Sequence, residues 1–303
     1  YRVLDPACGS GNFLALSLRA LKDFDLAVTE DAAALGLPLD HSRVGPEAVL
    51  GIEINGYAAE LARLTVWITE LQWQLRKGLG LTRRPILDKL DGIVRADALI
   101  TPSGKDREWP EVDVIIGNPP FLGNKKMLRL LGDKYVGNLR AAYSGQLHGA
   151  CDLVCYWFEK ARHLIVSGRV RRAGLVATKT IQSKTNREVL GAIRQDLAFF
   201  NVWANEEWVV DGADVRVALI AFAPADAPES TAPRHNGQPV TEILGSDSTN
   251  RNTWVGPVTR RRSAGEHGNR LSRTDQDRRV RHKRRSGAGV ADCAFEPERS
   301  SER

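Results

Sequence analysis

Residues 1–223 alternate between short apolar runs and longer amphipathic stretches, and no other feature of the sequence limits the possible folds as strongly. Short apolar runs predict buried strands, whereas apolar residues repeated at intervals of three and four predict helices. Strands that alternate with helices predict a parallel sheet with helices on both faces. The last two apolar runs, 199–204 and 215–223, have no helix between them. They therefore predict a closing hairpin in which one strand is antiparallel.

The pattern predicts seven strands and four helices. The strands are 1–5, 48–54, 93–94, 112–116, 173–178, 199–204 and 215–223. The helices run from the glycine-rich turn 8–11 to about Leu26, over 58–75, over 152–166, and from Thr185 to about Gln195. Thr185 is the predicted cap of the last helix, because Glu188 stands three residues later as in a capping box. Residues 27–48 and 205–214 are predicted to be connections.

The C-terminal residues differ in composition from the rest of the chain. Residues 251–303 contain 13 Arg, one Lys and seven acidic residues, a net charge of +7, whereas the whole chain carries +6. Residues 1–250 are therefore close to neutral, and the basicity of the chain does not indicate that its folded part binds nucleic acid. With few large apolar residues, 251–303 are predicted to be disordered. They are either a natural basic tail or residues foreign to the ancestral protein.

Other features bound the class of protein. No run of about 18 apolar residues predicts a membrane span. The first residues, YRVLDPACGSGNFL, do not form a signal peptide, and they resemble the middle of a domain, so we expect the chain to be a fragment. The four cysteines have no metal-ligand spacing. We therefore expect a reduced, cytoplasmic protein. Its folded domain is predicted to span residues 1–223, followed by a linker over 224–250.

The first strand is followed by a turn that is suited to a ligand. Asp5 ends the strand, and Gly9 and Gly11 permit a tight turn that opens a helix. Glycines at this place let a ligand approach the N–H groups of the helix N-terminus, although a tight turn alone would have the same spacing. The third glycine of the dinucleotide fingerprint is missing. The turn therefore suits a nucleoside with a small charged amino-acid arm better than a dinucleotide.

Two further acids end the next predicted strands. Glu53 ends the second strand, where a carboxylate can accept hydrogen bonds from both ribose hydroxyls of a nucleoside. Asp97 ends the third and can accept a hydrogen bond from an adenine amino group. The carboxyl ends of parallel strands meet at one edge of the sheet, so we expect these acids to lie near the first turn.

The fourth strand ends in Asn118-Pro119-Pro120-Phe121. Two prolines forbid a helix there and remove two backbone donors, and Asn118 is pushed toward an extended conformation. An amide, a carbonyl and an aromatic ring are thereby presented together on a stiff backbone.

These motifs, in this order and spacing, resemble those of the class I S-adenosylmethionine-dependent methyltransferases, and within them the amino-methylating DNA enzymes. DPACGSG is similar to their first motif, Glu53 and Asp97 to the second and third, and NPPF to the catalytic fourth. GACDLVCYWFEKA and GLVATKTI, further along the chain, resemble one branch, the MmeI-like adenine-specific methyltransferases of type II restriction–modification systems.

The resemblance implies a Rossmann-like class I methyltransferase fold over residues 1–223, with a mostly parallel seven-stranded sheet. It implies S-adenosylmethionine as cofactor and double-stranded DNA with a flipped adenine as partner. It also implies that an N-terminal segment, a target-recognition domain and a nuclease segment lie outside this chain. The cofactor-binding residues it implies are Asp5, Ala7, Gly9, Gly11, Glu53 and Asp97, and the catalytic residues are Asn118, Pro119, Pro120 and Phe121.

Several alternatives stay open at this level. NPPF also serves methyltransferases that act on protein glutamine or on RNA, and a chain with parts missing fits an inactive remnant of a DNA methyltransferase. Lys125 and Lys126 follow the motif and either contact phosphates or lie on a solvated loop. Asp152 either helps to form the pocket for the target base or caps the helix 152–166.

Overall fold

The computed structural model describes residues 1–37, 44–78, 90–183, 185–210 and 213–244. All of them belong to a unit that spans Tyr1–Thr259, and the second unit, Arg260–Arg303, contains no described residue. The predicted Arg-rich tail, 251–303, therefore lies outside the described residues. Within the described ranges, no helix is long and apolar enough to cross a lipid bilayer.

Nine strands and six α-helices make up the described part of the chain. The strands are β1 (Val3–Asp5), β2 (Val49–Glu53), β3 (Ile93–Arg95), β4 (Val114–Gly117), β5 (Arg172–Thr178), β6 (Ala198–Val210), β7 (Ala213–Ala223), β8 (Arg234–His235) and β9 (Gln238–Pro239). The helices are α1 (Asn12–Ala34), α2 (Gly56–Arg76), α3 (Asn124–Leu131), α4 (Asp133–Ala142), α5 (Val154–Val166) and α6 (Arg187–Asp196).

The strands form one sheet in the order β3-β2-β1-β4-β5-β7-β6-β8-β9. β1 to β5 are parallel, and β7 is antiparallel to both β5 and β6. The predicted mostly parallel sheet with an antiparallel hairpin strand is thereby confirmed. The strand order reverses between β1 and β4, and in such sheets a crevice opens there outside the carboxyl ends of the strands.

The sheet separates two hydrophobic clusters. Side chains along a strand point alternately to opposite faces, so neighbouring residues of β1 enter different clusters. Val3 packs in the cluster that contains residues of α1 and α2, such as Leu18 and Val66. Leu4 packs in the larger cluster, to which α3, α4, α5 and α6 contribute. Helices thus cover both faces, as the alternation of strands and helices predicted.

The predicted count of seven strands is wrong, because two short strands follow the closing hairpin. β8 pairs in parallel with β6, and β9 pairs antiparallel with β8. Without them, β6 would be an edge strand with unpaired backbone groups, which this small hairpin partly satisfies. Ile243, just beyond it, is buried in the larger cluster. Residues inside the predicted linker, 224–250, thus belong to the folded sheet.

The predicted count of four helices is also wrong, because α3 and α4 were not predicted, and three predicted ends or caps differ from the structure. α1 continues to Ala34, because the residues after Leu26 include four alanines and no helix breaker until Gly36, which has φ +71. β6 continues to Val210 and β7 begins at Ala213, so most of the predicted connection 205–214 is strand, and a bulge in which Asn205 has φ 65 keeps β6 paired with β7. α6 begins at Arg187 without a side-chain cap, so Thr185 does not cap it.

We predict that Gly11 tolerates alanine less well than Gly9 does. Gly11 precedes α1 with φ +87, and a Cβ there would lie 2.9 Å from Ala62 Cα in α2. The backbone conformation costs about 1–2 kcal/mol for alanine, and overpacking adds about 1–3 kcal/mol. Gly9 also has a positive φ, +53, but a Cβ there would meet nothing within 4 Å. Gly9→Ala should therefore lose only the first contribution in urea denaturation, and equal losses for both variants would contradict the packing argument.

Candidate active site

Polar side chains gather where the carboxyl ends of the parallel strands meet. Asp5 ends β1, Glu53 ends β2, Asp97 follows β3, and Asn118 follows β4. A cavity of about 460 Å³ opens at this edge, within the range of roughly 300–1,000 Å³ that small-molecule sites occupy. The crevice expected from the strand order is therefore present, and Glu53, Asp97 and Asn118 lie in its wall.

The structure brings some predicted site residues into the cavity wall and leaves others behind it. The wall contains Ala7, Glu53, Asp97, Asn118 and Pro120. The residues that do not line it are Asp5, Gly9, Gly11, Pro119 and Phe121. Of these, Asp5, Gly11 and Pro119 are buried, and Phe121 is half-buried against the larger hydrophobic cluster.

Glu53 is held by backbone N–H groups on both carboxylate oxygens. Its Oε2 accepts a hydrogen bond of 2.9 Å from the N–H of Gly9, and its Oε1 accepts one of 2.8 Å from the N–H of Asn55. The Gly9 N–H, which was expected to face a ligand, thus joins the first turn to the end of β2. Each carboxylate oxygen can accept a second hydrogen bond. Glu53 therefore presents two free acceptor positions from a fixed orientation.

Asp97 is held in a similar way. Its Oδ1 accepts hydrogen bonds from the N–H groups of Leu99 and Ile100, at 2.7 and 3.0 Å. Its Oδ2 accepts a hydrogen bond of 2.7 Å from the hydroxyl of Tyr135, which also lines the cavity. The carboxylate is thus oriented by three donors from two parts of the chain.

Asn118 Oδ1 is buried and has no hydrogen-bond partner among the described residues. Buried polar atoms are nearly always hydrogen-bonded, so an unpaired one in a cavity wall is left to bond with water or a ligand. The prolines that follow Asn118 hold the backbone stiff, and the side chain stays where β4 delivers it. The amide oxygen is therefore an acceptor that is available to a ligand.

Asp5 lies behind the cavity wall and is 1% exposed. Burial, opposed by the N–H of Ala7 and supported by the nearby charge of Glu53, raises the pKa of its carboxyl group to about 7. A Cβ on Gly117 would lie 2.6 Å from Asp5 Oδ1. Only a glycine at the end of β4 therefore leaves room for this carboxyl group.

Asp152 does not cap α5, which has Leu153 as its cap residue and no side-chain capping bond. Its Oδ1 accepts a hydrogen bond of 3.1 Å from the N–H of Asn124, at the start of α3. Its Oδ2 accepts one of 2.7 Å from Asn186 Nδ2 and one of 3.2 Å from the Thr180 hydroxyl. Asp152 thus joins the segment after the NPPF motif to the segment after β5, outside the cavity.

The two aromatic side chains of the cavity wall, Tyr135 and Trp157, were not predicted from the sequence. Trp157 on α5 lines the cavity, and its Nε1 donates a hydrogen bond of 3.2 Å to the carbonyl of Pro6. Tyr135 comes from α4, in a stretch whose sequence carries no motif. Trp157 could have been noticed, because a tryptophan in the apolar run 154–158 needs a partner for its N–H. Lys125 and Lys126 lie exposed on α3, so the alternative that they belong to a solvated loop is wrong, and contact with phosphates stays a prediction.

The strand order, the antiparallel β7 and the polar groups at the carboxyl edge together define a class I methyltransferase fold. Within this class, the chain belongs to the family of the MmeI DNA-methyltransferase domain, whose sequence model matches residues 1–228. The resemblance inferred from the motifs is thereby confirmed.

Two known proteins illustrate the relationship. DNA methyltransferase A of Bacillus subtilis (strain 168) is 26% identical over 247 residues, which cover 74% of this chain and 26% of that protein. The solved structure of the type IIL restriction–modification enzyme MmeI in complex with DNA has a TM-score of 0.61 and 24% identity, over 80% of this chain and 34% of that one. The second likeness confirms the fold. The chain spans only about a quarter to a third of the length of these relatives.

We predict that ionisation of Asp5 makes the protein less stable as the pH rises. The pKa of this group is raised from 3.8 to about 7, so the folded state binds the proton more tightly than the unfolded state does. The free energy of unfolding should therefore fall between about pH 4 and pH 7, by about 1.4 kcal/mol per pH unit at most. Asp5→Asn removes this contribution and should flatten the curve in urea denaturation. Parallel curves for the two proteins would contradict the assignment.

Proposed function

We propose that this chain transfers a methyl group from S-adenosylmethionine to the exocyclic amino group of adenine in DNA, within a restriction–modification system. The observation that carries the proposal is the buried Oδ1 of Asn118, which has no hydrogen-bond partner in the described part of the chain and shares a cavity wall with Glu53 and Asp97. This combination supplies an acceptor for a reacting amine beside acceptors for a nucleoside. Family membership and the DNA-acting relatives support the substrate class.

The cavity suits the cofactor in size and in chemistry. Glu53 has two free acceptor positions for the ribose hydroxyls, and Asp97 has one for the adenine amino group. Ala7 lines the side proposed for the amino-acid arm, and the turn of Gly9 and Gly11 supports it from behind the wall, beside Asp5. When bound, S-adenosylmethionine supplies an electrophilic methyl group on a sulfonium centre.

The reacting adenine requires help because its amino lone pair is delocalised into the ring. Asn118 Oδ1 and the carbonyl of Pro119 accept the two amine hydrogens, which favours a pyramidal nitrogen with a directed lone pair. Pro119 and Pro120 keep these acceptors in place, so catalysis comes from positioning and from preorganised dipoles. Phe121 stacks on the base, which leaves the duplex to reach the site.

The proposal assigns residues 1–223, with the short strands that follow, as the methyltransferase domain. Duplex DNA is the proposed partner, and because that DNA is cellular, the cytoplasm is the proposed compartment. Methyl transfer to protein glutamine or to RNA is the alternative outcome that an assay with labelled cofactor would reveal.

We predict that Asn118→Ala leaves cofactor binding nearly unchanged but slows methyl transfer to mixed-sequence duplex DNA. The expected loss is about a hundredfold or more, because a preorganised acceptor at the reacting atom is removed. Transfer of labelled methyl groups, with digestion to identify N6-methyladenine, measures the rate. Asn138→Ala, on α4 and outside the cavity wall, is the matched control. Transfer by Asn118→Ala at the wild-type rate, or label found only in protein or RNA, would sink the proposal.

We predict that Glu53→Gln weakens cofactor binding about tenfold or more, since hydrogen bonds to a charged group contribute about 1.5–3 kcal/mol each. The variant keeps the shape of the side chain but loses the charge and one acceptor. Calorimetric titration with S-adenosylmethionine measures the dissociation constant. Glu60→Gln, exposed on α2, should bind like the wild type. Equal affinities for Glu53→Gln and the wild type would reject the ribose assignment.

A further inference from the structure

We propose that Tyr135 is a specificity-determining residue of the cofactor site, and that it acts by positioning the Asp97 carboxylate to select a nucleobase with an exocyclic amino group. This inference rests on the proposed function. Tyr135 lies on α4, in the connection between the NPPF motif and α5, and its ring packs against the larger hydrophobic cluster.

The two oxygens of Asp97 differ in how many hydrogen bonds they already accept. Oδ1 accepts two, from the N–H groups of Leu99 and Ile100, and is saturated. Oδ2 accepts one, from the Tyr135 hydroxyl at 2.7 Å, and no other described residue donates to it. The free acceptor position of this carboxylate is therefore on Oδ2, the oxygen that the Tyr135 hydroxyl holds. Asp97 and Tyr135 both line the cavity, so a ligand in the cavity can use this position.

The direction of this hydrogen bond does not change near neutral pH. Burial, followed by the hydrogen bond to Asp97 and the charge of that carboxylate, raises the pKa of Tyr135. The hydroxyl therefore remains a donor to Asp97 Oδ2. A charge-assisted hydrogen bond of this kind is stronger than one between neutral groups. Asp97 Oδ2 is thus held as an oriented acceptor.

An ionised carboxylate accepts hydrogen bonds and cannot donate one. Adenine presents an amino group with hydrogens to donate, whereas hypoxanthine presents a carbonyl oxygen at the same position. Asp97 therefore attracts the first base and repels the second, and this preference depends on how firmly Oδ2 is oriented. Without the Tyr135 hydroxyl, only Oδ1 remains anchored, and the preference should weaken.

A role for the Tyr135 hydroxyl as a competitor of the base predicts the opposite change in affinity. If the Tyr135 hydroxyl occupied the place that the amino group of the base takes, binding would have to displace it. Its removal would then strengthen binding of the adenine ligand. The sign of the change in affinity therefore separates a positioning residue from a competitor.

The chain offers a matched control in Tyr143, which directly follows α4. Its hydroxyl donates a hydrogen bond of 2.9 Å to Asp106 Oδ1, and burial raises its pKa as well. Neither Tyr143 nor Asp106 lines the cavity. Tyr143→Phe thus removes a partly buried tyrosine–aspartate hydrogen bond from the same region without touching the site.

The test is calorimetric titration of the wild type, Tyr135→Phe and Tyr143→Phe with S-adenosylhomocysteine and with S-inosylhomocysteine. Tyr135→Phe should bind S-adenosylhomocysteine about tenfold more weakly and S-inosylhomocysteine nearly as before. The ratio of the two affinities should therefore fall about tenfold. Tyr143→Phe should leave both affinities within about twofold. A purely structural role for Tyr135 would lower both affinities equally and leave the ratio unchanged.

Asp97→Asn completes a double-mutant cycle, because Tyr135 is proposed to act only through Asp97. Asp97→Asn should reduce the ratio by itself, and Tyr135→Phe in that background should change it no further. An additive effect, an unchanged ratio or tighter binding by Tyr135→Phe would overturn this inference while the cofactor site stands. A wild type that binds neither ligand would overturn the proposed cofactor and this inference together.

Discussion

The contact between Asp5 and Gly117 is the constraint on which the carboxyl edge of the sheet depends. β1 and β4 run side by side in register, with Leu4 opposite Ile115, so their last residues meet where the strand order reverses. The buried carboxyl group of Asp5 fills the space that a side chain on Gly117 would need. β4 can therefore deliver Asn118 into the same wall that holds the turn after β1.

Backbone amides orient the acids around this edge. Each of three acids, Glu53, Asp97 and Asp152, accepts at least one hydrogen bond from a main-chain N–H. Each side chain also forms a hydrogen bond with a segment other than its own. A carboxylate held by backbone donors is fixed before any ligand arrives, which lowers the reorganisation that binding requires. The remaining acceptor positions of Glu53 and Asp97 then face a cavity of defined shape.

Sequence patterns failed where tertiary pairing overrode a local preference. The polar residues after Ala204 resemble a turn, yet pairing with β7 keeps them in β6, with a bulge at Asn205 that absorbs the mismatch. Thr185 and Glu188 match a capping box, but α6 starts later in the chain. The side chain of Asn186, the residue before α6, donates a hydrogen bond to Asp152 and does not cap the helix. The strands β8 and β9 have only two residues each, too few to show any periodicity.

The sequence by itself determined the class of fold, the family and the candidate groups Glu53, Asp97 and Asn118, because strand–helix periodicity and the residues at strand ends are local features. Only the tertiary structure decided which acceptors stay free, since that depends on partners far along the chain. It placed the Gly9 N–H on Glu53, brought Tyr135 to Asp97 across 38 residues, and left Asn118 Oδ1 without a partner among the residues that the structure describes. No local pattern encodes such pairings, because they arise when the carboxyl ends of separate strands converge.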